Sequence, residues 1–354
     1  MVCTFLLTKR EGPLYLHRIL LKEKSVTFKN LLFGCLGLFI LAGAHLFPRE
    51  TLSSGILFTQ NDLDRSLVGY SEEEKAAILK DYALIEAICF GGKKPRDKVP
   101  QYLATAGAPG ARKSTILEGV LRSDPSFSQA VYLDPDQRAL KWMVNTYYSR
   151  SLTAFACTQV ENYQELQKAA YDKWRSASHF IANSIFEKAL KGRYDIAHGT
   201  TMTGLFVQRL MTLIKAQGYA ITLALCSCED EVRQKAIHYR NTVQGFYQTD
   251  PHDVVEKGRI FPTRMPLYFT FADQLFLFWS DRFDEKERLA ATFSQEGIKI
   301  SDQEAYDKFI AKYERDRLPL KEEEKLELPT WEALVASWMQ RTKKSKDPFH
   351  NRDR

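Results

Sequence analysis

Apolar and polar positions along the chain fall into two alternating periods. The first sustained helical pattern opens at Ser71-Glu-Glu-Glu74, where a serine followed three residues later by glutamate is a capping-box signature. It predicts a helix to about Phe90, with Ile78, Tyr82, Ile85 and Cys89 as an apolar stripe widened by Leu79 and Ile88, before Gly91-Gly-Lys-Lys-Pro95 breaks it. Short apolar runs then predict strands at Tyr102–Thr105, Ala130–Leu133, Tyr194–Ala197, Ile221–Cys226 and Leu275–Trp279. Between them, helical spacing predicts helices near Ser114–Leu121, Gln137–Ser149, Asn162–Lys191, Gly204–Gln217 and Glu231–Tyr239, and further helices follow near Gln303–Arg315 and Trp331–Arg341. Strand and helix in alternation are what a parallel sheet with crossover helices requires. The expected fold is therefore α/β: a three-layer sandwich around a mainly parallel sheet of about five strands, with helical extensions.

The same pattern suggests an organisation. Residues 1–60 form an extension without evident chemistry, 61–98 a helical lead-in, 99–300 the sheet domain, and 301–354 C-terminal helices with a basic tail. Within the extension, the segment 31–47 is apolar apart from His45 and follows Lys9, Arg10, Arg18, Lys22, Lys24 and Lys29. It is a membrane-anchor candidate at the lower limit of the roughly 17–25 residues a spanning helix needs. A buried helix, a secretion signal and sequence upstream of the true start are the alternatives. The aromatic run Tyr268–Trp279 could stack bases, but its near-continuous apolar character suits a buried strand and its packing better. On the long helix before Lys191, Trp174, Phe180 and Ile185 are expected in the core, with Lys168, Lys173 and Arg175 on an exposed face that could border a cleft.

Composition narrows the partners. Fifty basic residues against 44 acidic ones give a formal charge of +6 on a mixed surface, which suits an anionic ligand without implying nucleic acid. The six cysteines lack metal-ligand spacing and are read as reduced and intracellular, and the dispersed histidines suggest no metal centre of their own.

The most specific local signal is Gly107-Ala108-Pro109-Gly110-Ala111-Arg112-Lys113-Ser114, followed by Thr115, between a predicted strand and a predicted helix. In that context the glycines let backbone N–H groups wrap phosphate, and the helix N-terminus adds positive potential. Lys113 would reach the β- and γ-phosphates of ATP, and the Ser114 hydroxyl would ligate Mg²⁺. The alternative is an ordinary Gly/Pro turn. Arg112 stands where a Walker-type loop carries its second glycine; if the backbone there needs φ > 0, the side chain must point away from the nucleotide at a cost of about 1–3 kcal/mol. A second signal is Asp134-Pro-Asp136 at the end of the second strand. Ligands of open α/β sheets bind at that edge, so a carboxylate there could accept a hydroxyl proton or hold Mg²⁺ through water, or merely cap the next helix.

In order and spacing these residues resemble the zeta toxin family, P-loop kinases of bacterial toxin–antitoxin systems that phosphorylate a UDP-N-acetyl amino sugar. The resemblance runs from about Tyr102 to Asp281. Besides the loop and the Asp pair it includes Lys191-Gly192, His198-Gly199-Thr200, Gly218-Tyr219, Tyr239-Arg240 and Arg259-Ile-Phe-Pro262. It implies an ATP- and Mg²⁺-dependent small-molecule kinase with an antitoxin as protein partner. Asp136 would be the general base, and Arg240 and Arg259 lid cations on the transferring phosphoryl group, where without the resemblance they read as a solvated residue at a helix C-terminus and a loop charge. Asp134 and Thr200 are candidate substrate contacts, as is His198 from its place at a strand end facing the expected cleft, with a satisfied structural histidine as its alternative. His198 replaces the family's sugar-binding glutamate; an imidazole cannot accept from two hydroxyls as a carboxylate does. Thr200 and Thr201 could instead cap the following helix. A nucleotide-binding regulator or degenerate kinase is the alternative function, and a membrane-tethered or secreted effector acting on a host molecule a further one.

Overall fold

The computed structural model describes residues 57–152, 163–243, 254–318 and 328–345. The apolar segment 31–47 lies outside them. Among the described residues, no helix is long and apolar enough to cross a membrane.

Seven strands form one sheet in the order β2-β3-β1-β4-β5-β6-β7: β1 (Gln101–Ala106), β2 (Val131–Leu133), β3 (Ile196–His198), β4 (Ala220–Ser227), β5 (Gln274–Trp279), β6 (Arg288–Ser294) and β7 (Gly297–Ile300). The first five are parallel, as the alternating pattern predicts, and β6 and β7 add an antiparallel hairpin at the edge. The hairpin is a departure from the expected count of about five.

The two-residue period of the strands decides which layer each side chain joins. Tyr102, Ala104, Ala106, Ile221, Leu223 and Leu225 face the larger core, with α3 (Tyr163–Lys191), α4 (Val207–Ala216) and α6 (Ile260–Phe271). Leu103, Ala197, Ala224 and Cys226 face the other way, against Ile116, Leu117 and Val120 of α2 (Lys113–Ser123). Both faces are thus covered, which explains the continuous apolar runs of the parallel strands. The lead-in helix α1 (Glu72–Phe90) has the expected capping box: Ser71 accepts from Glu74 N–H at 3.2 Å, and Glu74 accepts from Ser71 N–H at 3.0 Å. The last helices, α7 (Gln303–Asp316) and α8 (Trp331–Ser345), close over the far end of the sheet, where Trp331 and Trp338 meet Phe269 and Phe293 edge-on.

Two expectations need correction. The aromatic run is split: Tyr268–Phe271 ends α6, and the strand begins only at Gln274, after Ala272 turns extended. The helix expected over Gln137–Ser149 is replaced by short π and 3-10 turns across Pro135–Leu152. Asp134 causes the first of these by holding two successive amides, those of Asp136 and Gln137, at 2.9 and 2.8 Å.

Candidate active site

The loop between β1 and α2 is built by close backbone approach. A Cβ on Gly107 would stand 2.4 Å from the Cys226 carbonyl oxygen, and one on Gly110, at φ 82°, would stand 2.7 Å from the Arg233 carbonyl. Neither position can hold another residue without moving a neighbouring strand or helix. Arg112 adopts the left-handed conformation expected of a glycine substitute, φ 56° and ψ 23°, and its side chain turns outward. It reaches Glu287 at 3.5 Å and the Arg282 carbonyl at 3.4 Å. Arg112 provides no side-chain cap for α2, so the first-turn amides behind the loop are left for a ligand.

Lys113 folds its ammonium back onto the Ala108 carbonyl at 2.8 Å. Removal from water, with Arg240 nearby, lowers its pKa to about 8, against the opposing pull of Asp134. Ser114 is half-buried and Thr115 exposed at the start of α2.

Across from the loop, the end of β2 presents the two carboxylates, in different roles. Asp134 is buried: one oxygen holds the Asp136 and Gln137 amides, and the other lies where a Cβ on Gly199 would meet it at 2.2 Å. Burial and the neighbouring Asp136 raise its pKa to about 7. Asp134, expected as a substrate contact, caps the turn and packs the β3 exit. Asp136 is half-buried, with the Tyr171 hydroxyl 3.4 Å away.

Arg240, in α5 (Asp230–Thr242), faces this pair. Burial lowers its pKa while Asp136, Tyr171 and Asp134 act to raise it, and its Nε is buried without a hydrogen-bond partner among the described residues. Arg259, expected as the second lid cation, has its guanidinium donating to the Arg315 and Asp316 carbonyls at the end of α7, at 3.4 and 3.3 Å.

At the end of β3, the His198 Nδ1 and the Tyr102 hydroxyl share a 2.8 Å hydrogen bond, and Phe186 lies 5.7 Å away between ring centres. Burial, helped by His179, brings the imidazole pKa down to about 4, so it is neutral. Thr200 is likewise occupied: its hydroxyl accepts from Met202 N–H at 3.2 Å, and it does not cap α4, whose N-cap residue is Phe206. The loop it belongs to is tied to the first one, since Gly107 N–H donates to the Thr201 carbonyl at 3.1 Å.

Arg175, expected on a face that could border a cleft, brings with it two residues that reading the sequence misses, Tyr171 and His179. Tyr171, Arg175 and His179 lie at four-residue intervals on α3 and form a stripe. Arg175 lies over the Tyr171 ring at 5.4 Å and donates to His179 at 3.5 Å; burial lowers the His179 pKa, Arg175 adding to it. Lys141 joins from the turns after β2, its pKa lowered by burial and by Arg240. The four-residue spacing is the signal that finds the stripe.

A strand-loop-helix with no side-chain cap at the helix start, and carboxylates and half-buried cations gathered at the C-terminal edge of a parallel sheet, defines an α/β fold of the P-loop kinase class. Within that class the chain belongs to the zeta toxin family, whose model matches residues 87–265. No curated protein matches the chain in sequence. Similar solved structures include the AvrRxo1-ORF1:AvrRxo1-ORF2 complex with sulphate ions, at 13% identity and TM-score 0.48, covering 81% of this chain and 90% of that one. The AvrRxo1-ORF1:-ORF2 structure with ATP is similar at 12% identity and TM-score 0.46, covering 80% and 94%. A structure from the PezAT chromosomal toxin–antitoxin system of Streptococcus pneumoniae follows at 17% identity and TM-score 0.45, covering 70% and 96%.

Proposed function

We propose that the chain is an ATP-dependent kinase that phosphorylates a hydroxyl of a small molecule. One observation carries this: a half-buried lysine, a half-buried carboxylate and an arginine whose Nε has no hydrogen-bond partner among the described residues converge beside a loop whose helix has no side-chain cap. Phosphoryl transfer needs little beyond such positioning and positive charge. The 107–114 amides and Lys113 would hold the β- and γ-phosphates. Mg²⁺, held at Ser114, would supply charge neutralisation there. Asp136 takes the proton of the acceptor hydroxyl as its oxygen bonds to the γ-phosphorus, and the bond to the bridging oxygen breaks to release ADP. Arg240 balances charge on the equatorial oxygens.

The acceptor to test first is a UDP-N-acetyl amino sugar, on family grounds. A neutral His198 in place of the sugar-binding glutamate favours a different set of acceptor hydroxyls. A protein antitoxin is the partner that family membership brings with it. A nucleotide-gated regulator is the second reading, favoured by the left-handed Arg112 in the loop.

Incubating the full chain with γ-labelled ATP, Mg²⁺, a panel of UDP-sugars and a metabolite extract decides between them. Label on a small molecule, lost in Lys113→Ala and in Asp136→Asn, supports the kinase. ATP binding with no labelled acceptor in the panel or the extract turns the assignment to the regulator.

A further inference from the structure

Behind the phosphate loop, four charged side chains meet in one cluster: Asp230 and Arg233 from the first turn of α5, and Lys312 and Asp316 from α7. Arg233 and Lys312 are buried. The Lys312 ammonium donates to Asp230 at 2.7 Å and to Asp316 at 2.6 Å. The Arg233 guanidinium donates to the same Asp230 oxygen and, at 2.8 Å, to the Val254 carbonyl; Gly258 leaves room for it, since a Cβ there would strike the guanidinium. Burial pushes the Asp230 pKa up, but the hydrogen bonds from Lys312 and Arg233 outweigh it and leave the carboxyl below its ordinary value.

The cluster reaches the loop at two points. Gly110 rests on the backbone of Arg233, and a cavity of about 10 Å³ is shared by Ala108 and Ala111 of the loop with Arg233, Lys312 and Asp316. Two further contacts tie α7 to the same region: Arg315 pairs with Glu229, the N-cap residue of α5, at 2.6 Å, and Arg259 donates to the last carbonyls of α7. Buried charges of this kind stabilise a fold no better than apolar side chains of similar volume. What they add over an apolar plug is a fixed geometry.

Resting on the kinase proposed above, we infer that Lys312 is a positioning residue for the phosphate loop: from α7, C-terminal to the family-matched residues 87–265, it fixes Asp230 and Arg233 and so the backbone on which Gly110 rests. The C-terminal helix thereby completes the donor site. Its influence passes through Arg233, so it acts on the phosphates of the nucleotide and not on the base.

Calorimetric titration of the full chain with Mg-ATP and, separately, with magnesium tripolyphosphate tests this, at a temperature where thermal melts show each variant folded. Lys312→Met, which keeps the stem and removes the charge, is expected to weaken both ligands about tenfold and by the same factor. Lys312→Arg, which keeps the charge and donors for both carboxylates, should restore binding to within about threefold of the unaltered chain. Asp230→Asn keeps an acceptor oxygen and should weaken both ligands about threefold; it decides the matter if Lys312→Met does not fold. A merely structural cluster would lower the melting temperature and leave both affinities of the folded protein unchanged, and that result overturns the inference while the kinase stands. So does a loss confined to ATP, or binding as weak in Lys312→Arg as in Lys312→Met. Failure of the unaltered chain to bind either ligand overturns the kinase, and the inference with it.

Discussion

The two sides of the cleft are made of different material. The donor side, around 107–114, is mostly backbone: glycines pressed against Cys226 and Arg233, and uncapped amides at the head of α2. Its one departure from the family pattern, Arg112, keeps the glycine-like φ of 56° and sends its side chain elsewhere, so the amide cradle survives the substitution. The side proposed to receive the phosphoryl group, around His198, His179 and Tyr171, is made of side chains. There a single replacement removes a carboxylate and installs a neutral ring hydrogen-bonded to Tyr102. A site built from backbone tolerates changes of residue type, whereas a site built from side chains changes chemistry with them.

Several measurements would break or sharpen this contrast. The largest effect is expected at the hinge between the sides: Arg240→Ala should lower turnover by about a thousandfold with ATP affinity changed only a few-fold. Single-turnover kinetics beside ATP titration would check it, and equal losses in both would make Arg240 a donor-binding group instead.

Next is Asp134. Its folded pKa, about 7, stands above the unfolded carboxylate value of 3.8, so the folded state holds the proton more tightly. Its contribution to stability is complete below about pH 4 and is lost as pH rises from there through 7, by up to a few kcal/mol. Denaturant melts across that window should show the slope, and Asp134→Asn should flatten it while the amide oxygen still caps the Asp136 and Gln137 N–H groups.

On the donor side, Lys113 with its pKa near 8 must be protonated to hold phosphate. ATP affinity should be full below pH 8 and fall about tenfold per pH unit above it, until the pKa of the complex is reached. Lys113→Arg should move that break beyond the accessible range.

The smallest effect belongs to the acceptor side: Tyr102→Phe removes the hydrogen bond to His198 and should cost about 1 kcal/mol of stability. It should also raise the acceptor KM and leave the ATP KM unchanged. An altered ATP KM would mean that the two sides are not separable.

Much of this was legible in the chain. The five parallel strands, the helices between them and the loop at 107–114 follow from patterns local enough to read. The β6–β7 hairpin was not, because Arg288–Ser294 mixes buried and half-buried positions without clean alternation and Gly297–Ile300 is only four residues long. The boundary between α6 and β5 was hidden because both are apolar and Pro266 argues against helix, although it sits within one. Asp134 and Asp136 look alike in sequence; only the packing of Gly199 against Asp134 separates the cap from the candidate base. The hydrogen bonds of Arg259 to the end of α7 are likewise illegible in sequence, since they depend on tertiary placement.

The hydrogen bond from Gly107 N–H to the Thr201 carbonyl, with the Thr105 hydroxyl accepting from Thr200 N–H and donating to the Thr200 carbonyl, stitches the two sides together by main chain and by one residue of β1. For the proposed kinase, the separation between phosphoryl donor and acceptor would therefore be a heritable property of the scaffold rather than of the residues that recognise the acceptor. A lineage built this way can exchange its cargo by changing the residues at 179 and 198 without having to rediscover the reach of the reaction.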